Sequence, residues 1–188
     1  DLDEEFLYFN DDMFPMKECK PTDFFRDGKG VIRVSYHLLA LDMFKQICRN
    51  STRAAREALG LRPTFYFMRP QHICSPMFKS ECEELYDKVE PVIRNSISRV
   101  RTGENLNQYL FLDYMYLKGK IINERISKKH FSVGVVSASK LRKFITQPTH
   151  KMACINDVQL TEERYEELRR VQIEAFEELF PKKSKFEK

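Results

Sequence analysis

A mixed α/β fold in which helix outweighs strand is what this sequence predicts, on three observations. Long stretches with apolar residues at helical spacing carry recognisable start and stop signals, and they occupy more of the chain than any alternating pattern. Short apolar or alternating runs, Phe6-Leu7-Tyr8-Phe9 and Phe131-Ser132-Val133-Gly134-Val135, have the length and bounding turns of strands. The composition is globular: 42% hydrophobic residues, with fifteen Phe and eight Tyr but no Trp, supply one ring-rich core. At 188 residues the expectation is a single domain spanning positions 1–188.

Taken in order, Phe6–Phe9 reads as a fully buried strand, and Asn10-Asp11-Asp12 as an acidic turn after it. Such a strand wants neighbours on both sides, and the rest of the chain offers few. The expectation is therefore an incomplete sheet with upstream strands missing, and association through the strand's open edge into a homo-oligomer. From Met13 to Gly30 the sequence looks loop-like, broken by Pro15, Pro21, Gly28 and Gly30. Ser35 to about Leu59 reads as a helix with Leu38, Leu41, Phe44 and Ile47 on one face and Gly60 as its stop. Thr64–Met68, between Pro63 and Pro70, is a short extended segment.

Ser80-Glu81-Cys82-Glu83 has the form of a capping box, opening a helix expected to falter near Pro91. Glu104–Leu117 is a further helix, apolar at Leu106, Tyr109, Leu110, Phe111 and Met115. Thr161, followed by Glu162 and Glu163, caps a long last helix buried along Tyr165, Leu168, Val171, Ala175, Phe176 and Leu179, with Pro181 ending it.

The formal charge of +4, with both signs mixed along the chain, argues against a nucleic-acid partner but leaves room for a local phosphate site. No apolar run approaches the ~18–20 residues that a membrane span needs, and no signal peptide opens the chain. Five scattered cysteines without a CxxC pair imply reduced thiols in a cytoplasmic setting, the inner face of the membrane included.

Four places could carry chemistry. Asp11 and Asp12 offer hard oxygen ligands for Mg²⁺ or Mn²⁺ where open α/β sheets place their ligands, although Asn and Asp also form turns with no function. His72 lies in an irregular stretch and could accept a proton near neutral pH, or simply be a hydrogen-bonded structural histidine. His37, His130 and His150 have weaker claims. Arg99 and Arg101, just ahead of Glu104-Asn105 and an expected helix N-terminus, form a phosphate site or two surface cations. Lys79 beside Ser80 could also face phosphate. Asn156-Asp157 could add oxygen ligands or close a turn.

Read together, these pieces resemble the later conserved blocks of the Stealth family of capsular polysaccharide phosphotransferases. Tyr8-Phe9-Asn10-Asp11-Asp12 is similar to the end of the family's second block. His72, Pro76, Lys79-Ser80, Val100-Arg101, Glu104-Asn105 and Gln108-Tyr109 resemble the third. Cys154-Ile155-Asn156-Asp157, then Leu179-Phe180-Pro181 and Ser184-Lys185-Phe186-Glu187, resemble the fourth.

The resemblance implies the C-terminal catalytic portion of a nucleotide-diphospho-sugar transferase-like fold, the N-terminal blocks being absent. It implies transfer of a sugar 1-phosphate from a nucleotide-sugar donor to a glycan hydroxyl. His72 would be the base, Arg101 the phosphate clamp, Asp11 and Asp12 the metal and diphosphate ligands, and Asn156 and Asp157 would complete that site. Lys79, Arg99, Glu104 and Asn105 would contact substrate. The alternatives are a glycosyltransferase that moves the sugar without its phosphate, and an inactive binding or assembly module.

Overall fold

The computed structural model describes residues 2–156 and 158–185. In chain order these form strands β1 (Glu5–Tyr8), β2 (Met13–Pro15), β3 (Phe25–Arg26), β4 (Lys29–Val31) and β5 (Val34–His37), then helix α1 (Met43–Ala58). Strands β6 (Phe67–Pro70) and β7 (Ser75–Phe78) precede helices α2 (Lys79–Ser96) and α3 (Tyr109–Leu117). Strands β8 (Ile121–Ile122) and β9 (Lys128–Ser132), helix α4 (Ala138–Thr146), strand β10 (Met152–Asn156) and helix α5 (Glu162–Leu179) complete the chain. Helices occupy more residues than strands, so the α/β, helix-rich class holds. The contacts group into two compact units, Asp1–Phe9 with Lys20–Ile126, and Asn10–Cys19 with Ser127–Lys188.

The first unit packs α1, α2 and α3 around Ala54, Ala55, Leu85, Val89, Leu110 and Tyr114. Small residues on α1 let its backbone approach α3, whose residues Tyr109, Leu110 and Leu112 to Met115 are buried. The short strands form three small sheets: β1–β7, β5–β6, and β4 between β3 and β8. Inside this unit Thr52 of α1 donates to the wholly buried Asp113 of α3 at 2.6 Å and accepts from Met68 N–H of β6 at 2.9 Å.

Several expectations change here, each for a local reason. β1 is not fully buried. It pairs only with β7 among the described residues, Phe6 and Leu7 are half-buried, and Tyr8 and Phe9 are exposed, so it is an edge strand. The helix expected from Ser35 begins at Met43, where the Asp42 carboxylate accepts from Lys45 N–H at 2.8 Å. Residues 34–37 instead pair antiparallel with β6, and Leu38 and Leu41 are 70% and 79% exposed rather than on a core face. Within the Met13–Gly30 stretch, Asp27 and Gly28 both have positive φ, the conformation of a two-residue hairpin turn, and join β3 to β4. The third predicted helix starts at Tyr109 rather than Glu104, and the strand expected over Phe131–Val135 is β9, ending at Ser132.

α2 runs through Pro91 without a break. Pro91 and Asp87, whose carbonyl loses its donor, both lie on the exposed side of the helix. The start of α2 is capped across the fold. The β1–β7 register places Glu5 opposite Phe78, and Glu4 then accepts from Ser80 Oγ at 2.6 Å and from Ser80 N–H at 3.2 Å. Ser80 is thus donor to the cap rather than the cap itself. Glu4→Ala is expected to destabilise the chain by about 1 kcal/mol, the usual value of a lost helix cap. Urea titration checks this, and an unchanged midpoint would show that Glu4 contributes nothing.

The second unit is a β9–α4–β10 unit in which the two strands are parallel, with β2 antiparallel on the other side of β10. Met16, Val133, Leu141, Ile145, Ala153, Ile155, Leu168 and Ala175 form its core, flanked by stacked Phe131 and Phe144 at 4.4 Å. α5 follows as expected, with Thr161 accepting from Arg164 N–H and Leu168 and Ala175 buried, although Tyr165 is exposed. No helix among the described residues is long and apolar enough to cross a membrane.

Candidate functional site

In the second unit the sheet itself assembles part of the expected site. β10 is the central strand, buried from Met152 to Ile155, and Asn156 stands at its carboxyl end. β2 runs antiparallel with Met13 opposite Cys154, so the turn before β2 falls at that same end. Asp11 and Asp12 occupy this turn, which Met13 N–H closes on Asn10 C=O at 3.2 Å. Ile155 N–H donates to Asp12 C=O at 2.8 Å, extending the ladder into the turn. The carboxyl ends of parallel strands are where open α/β sheets bind ligands, and Asp11, Asp12 and Asn156 all fall at that end of the sheet.

Their chemistry is set by their neighbours. The Cys154 thiol donates to Asp12 Oδ2 at 3.1 Å. Burial, reinforced by that hydrogen bond and by the Asp12 charge, pushes the thiol up to about 12. Cys154 is therefore a neutral donor that orients a carboxylate, and the donor set stays one of hard oxygens, which fits Mg²⁺ or Mn²⁺. The Asn156 side-chain oxygen meets His130 Nε2 at 2.6 Å, which fixes the amide's orientation and requires the proton on that ring nitrogen. Asp157 lies outside the described residues.

Asp11 and Asp12 also line a cavity of about 550 Å³ in this unit, with Arg169, Gln172 and Tyr165 of α5 and an apolar floor of Phe14, Ile155 and Leu168. Its volume is that of a small-molecule site. Arg169 and Gln172 were not singled out from sequence, His130 had only a weak claim there, and Cys154 entered only within a block of the family resemblance. The one available signal was Gln172, a polar residue one turn after Leu168 in an otherwise apolar stripe.

In the first unit His72 lies between β6 and β7, directly after a well-anchored Gln71. Gln71 N–H donates to Arg33 C=O at 2.7 Å, and the Gln71 side chain bonds both backbone groups of Ile126, at 2.9 and 3.1 Å. The His72 Nδ1 meets the buried Tyr109 hydroxyl at 3.1 Å, and the Phe44 ring stands edge-on at 6.2 Å. The imidazole is thereby fixed in orientation, which a general base requires.

Arg99 and Arg101 are exposed, on a loop that Asn105 closes. The Asn105 amide donates to Ser96 C=O and to Ser98 Oγ, and its oxygen accepts from Thr102 N–H at 2.6 Å. Asn105 is thus committed to backbone geometry, while Glu104 is exposed. Because α3 begins at Tyr109, the two arginines are not adjacent to a helix N-terminus as expected. Lys79 opens α2, but that N-terminus already carries the Glu4 carboxylate.

No family model matches the chain. Curated relatives do, across nearly its whole length. A capsular polysaccharide phosphotransferase of Streptococcus pneumoniae is 26% identical, the match covering 99% of this chain and 65% of the relative. The chain is similar to capsular polysaccharide phosphotransferases. A receptor polysaccharide phosphotransferase of Streptococcus oralis is 26% identical over the same shares of both chains. An exopolysaccharide phosphotransferase of Lactiplantibacillus plantarum is also 26% identical, covering all of this chain and 64% of the relative. The chain thus spans just under two thirds of the length of these relatives. The likeness read from the ordered sequence blocks is to the same kind of protein.

Proposed function

We propose that this chain carries residues of a transferase that moves a sugar 1-phosphate from a nucleotide-sugar donor to a glycan hydroxyl, as in capsular or exopolysaccharide synthesis. The observation that carries the proposal is the placement of Asp11, Asp12 and Asn156 at the carboxyl end of the central strand of the β2–β10–β9 sheet, with Asp11 and Asp12 lining a cavity of small-molecule size. The names of the relatives support the same class of chemistry.

In the proposed reaction the acceptor hydroxyl oxygen bonds to the donor's sugar-bearing phosphorus. The bond from that phosphorus to the bridging oxygen breaks, and a nucleoside monophosphate leaves. His72 takes the hydroxyl proton. Asp11 and Asp12 hold a divalent cation, which when bound neutralises diphosphate charge. Cys154 keeps the Asp12 carboxylate turned toward its ligand, and His130 does the same for the Asn156 amide. Arg101 holds the transferred phosphate, with Arg99 and Lys79 as further cations and Glu104 as a substrate contact. Because charge spreads over the phosphoryl oxygens, orientation and electrostatics supply most of the acceleration.

Calorimetric titration with uridine diphosphate sugars, with and without Mg²⁺, tests the binding half of the proposal. Metal-dependent binding should appear and be lost in the Asp11→Ala, Asp12→Ala variant. Equal binding by that variant would remove both residues from the site. The product decides the reaction: a nucleoside monophosphate marks phosphotransfer, and a nucleoside diphosphate marks the rival glycosyl transfer.

A further inference from the structure

A second cavity, of about 530 Å³, lies within the first unit between α1 and the segment Gly60–Tyr66. Arg49, Arg53 and Arg56 line it, spaced i, i+4, i+7 so that all three leave one face of α1, with Glu57 as the one carboxylate of the lining. Among the described residues neither Arg49 nor Arg53 has an ion-pair or hydrogen-bond partner for its side chain. Arg56 Nε donates to Arg62 C=O at 2.8 Å, which holds that side chain against the opposite segment.

The charge here is out of proportion to the rest of the chain. Within α1, Lys45, Arg49, Arg53 and Arg56 stand against Glu57 alone, a net +3, where the whole sequence carries +4. The C-terminal half of a helix repels anions with roughly half a unit of negative charge, so one cation there has an ordinary role as a dipole partner. Three on one concave face, against the single carboxylate of Glu57, exceed that need and leave the lining net positive. Behind the cavity wall, Thr52 leads to Asp113, whose complete burial raises its carboxyl well above the usual range and favours its uncharged form. The cations are not cancelled from within.

We propose that this cavity binds a glycosyl phosphate, its phosphate held by Arg49 and Arg53 and its sugar against Tyr66. Guanidinium forks match phosphate oxygens two at a time. The volume exceeds what a bare phosphate fills and suits a phosphate joined to a hexose. Tyr66, partly exposed and braced edge-on by Tyr36 at 5.1 Å, offers an apolar ring face with a polar tip, and Thr64 is near it on the same wall. That the phosphate belongs to a glycan rests on the transferase proposal. The phosphate could be the terminal ester of a hexose 1-phosphate or an internal phosphodiester of a polymer.

The test is amide-shift mapping of the 188-residue chain by nuclear magnetic resonance, titrated separately with four probes. These are a hexose 1-phosphate, a phosphodiester-linked disaccharide, inorganic phosphate and the neutral hexose. The ester, the diester or both should perturb amides in positions 49–66, and which of them binds more tightly identifies the source. Binding should weaken at least about tenfold in Arg49→Gln, Arg53→Gln, the loss expected for one charge-assisted contact, and should weaken with added salt in the unaltered chain. Perturbations confined elsewhere, equal binding of the neutral hexose or of inorganic phosphate, or salt-independent binding would each overturn the proposal, whether or not the variant folds. No step of this test reads transfer. An inactive protein that binds here fails only the transferase proposal, and an active one that does not bind here fails only this one.

Discussion

His72→Ala is expected to lower sugar 1-phosphate transfer by about 10²–10⁴-fold, the range for loss of a positioned general base, while nucleotide-sugar binding is retained. The expectation rests on how the ring is held. Its Nδ1 meets the Tyr109 hydroxyl, the Phe44 ring stands at a T-shaped angle to it, and Gln71 directly before it is tied to Arg33 and Ile126. A histidine that served only packing would lose stability on truncation, and activity would fall with the folded fraction. A base loses kcat in protein that remains folded. The companion variant Tyr109→Phe removes the hydroxyl but keeps the buried ring. It should lower kcat in protein that remains folded, because the partner that orients the imidazole has gone. Release of nucleoside monophosphate at a near-normal rate by folded His72→Ala would end the base assignment.

What the sequence conveyed depended on how local the determining contacts are. α5 was legible because all its signals lie within it: Thr161 at the cap, Glu162 and Glu163 in the first turn, and Leu168 and Ala175 on its buried face. α1 was placed too early because the spacing of Leu38 and Leu41 continues the period of Phe44 and Ile47. The residues that settle its start, Asp42 as cap and Phe67–Pro70 as partner for Val34–His37, include one that is distant in sequence. β1 looked fully buried because four apolar residues cannot reveal that only one strand neighbour is present among the described residues.

The site divides in the same way. The Asp11–Asp12 turn follows from residue type. That Cys154 and Ile155 hold Asp12, that His130 holds Asn156, and that Tyr109 meets His72 all depend on registers between distant segments. Periodicity carries no information about those registers. Asn105 is the reverse case, a polar residue in a promising stretch whose hydrogen bonds are all committed to its own loop.

The largest stability effect should come from the polar pair at the centre of the first unit. Thr52→Val keeps shape but removes the hydroxyl that accepts from Met68 N–H and donates to Asp113 Oδ2. Both partners are buried, and Asp113 Oδ1 already has no hydrogen-bond partner among the described residues. Two orphaned groups at roughly 1–3 kcal/mol each put the cost at about 2–6 kcal/mol. It would be read as a lower urea midpoint at unchanged slope. Asp113→Asn probes the same pair through pH. Burial raises the Asp113 carboxyl well above its ordinary value, and the Thr52 hydrogen bond pulls the other way without prevailing. The folded chain therefore keeps its proton where the unfolded chain has released it. Stability from this group is full below the unfolded pKa of about 3.9 and is lost as pH rises toward the folded value, by about 1.4 kcal/mol per pH unit crossed. Asparagine never ionises and retains an oxygen for Thr52. Asp113→Asn should flatten stability against pH from about 4 upward and match or exceed the original chain at neutral pH. A variant less stable than the original at pH 7, with an unchanged slope, would mean that Asp113 is charged in the folded state and held by a partner other than Thr52.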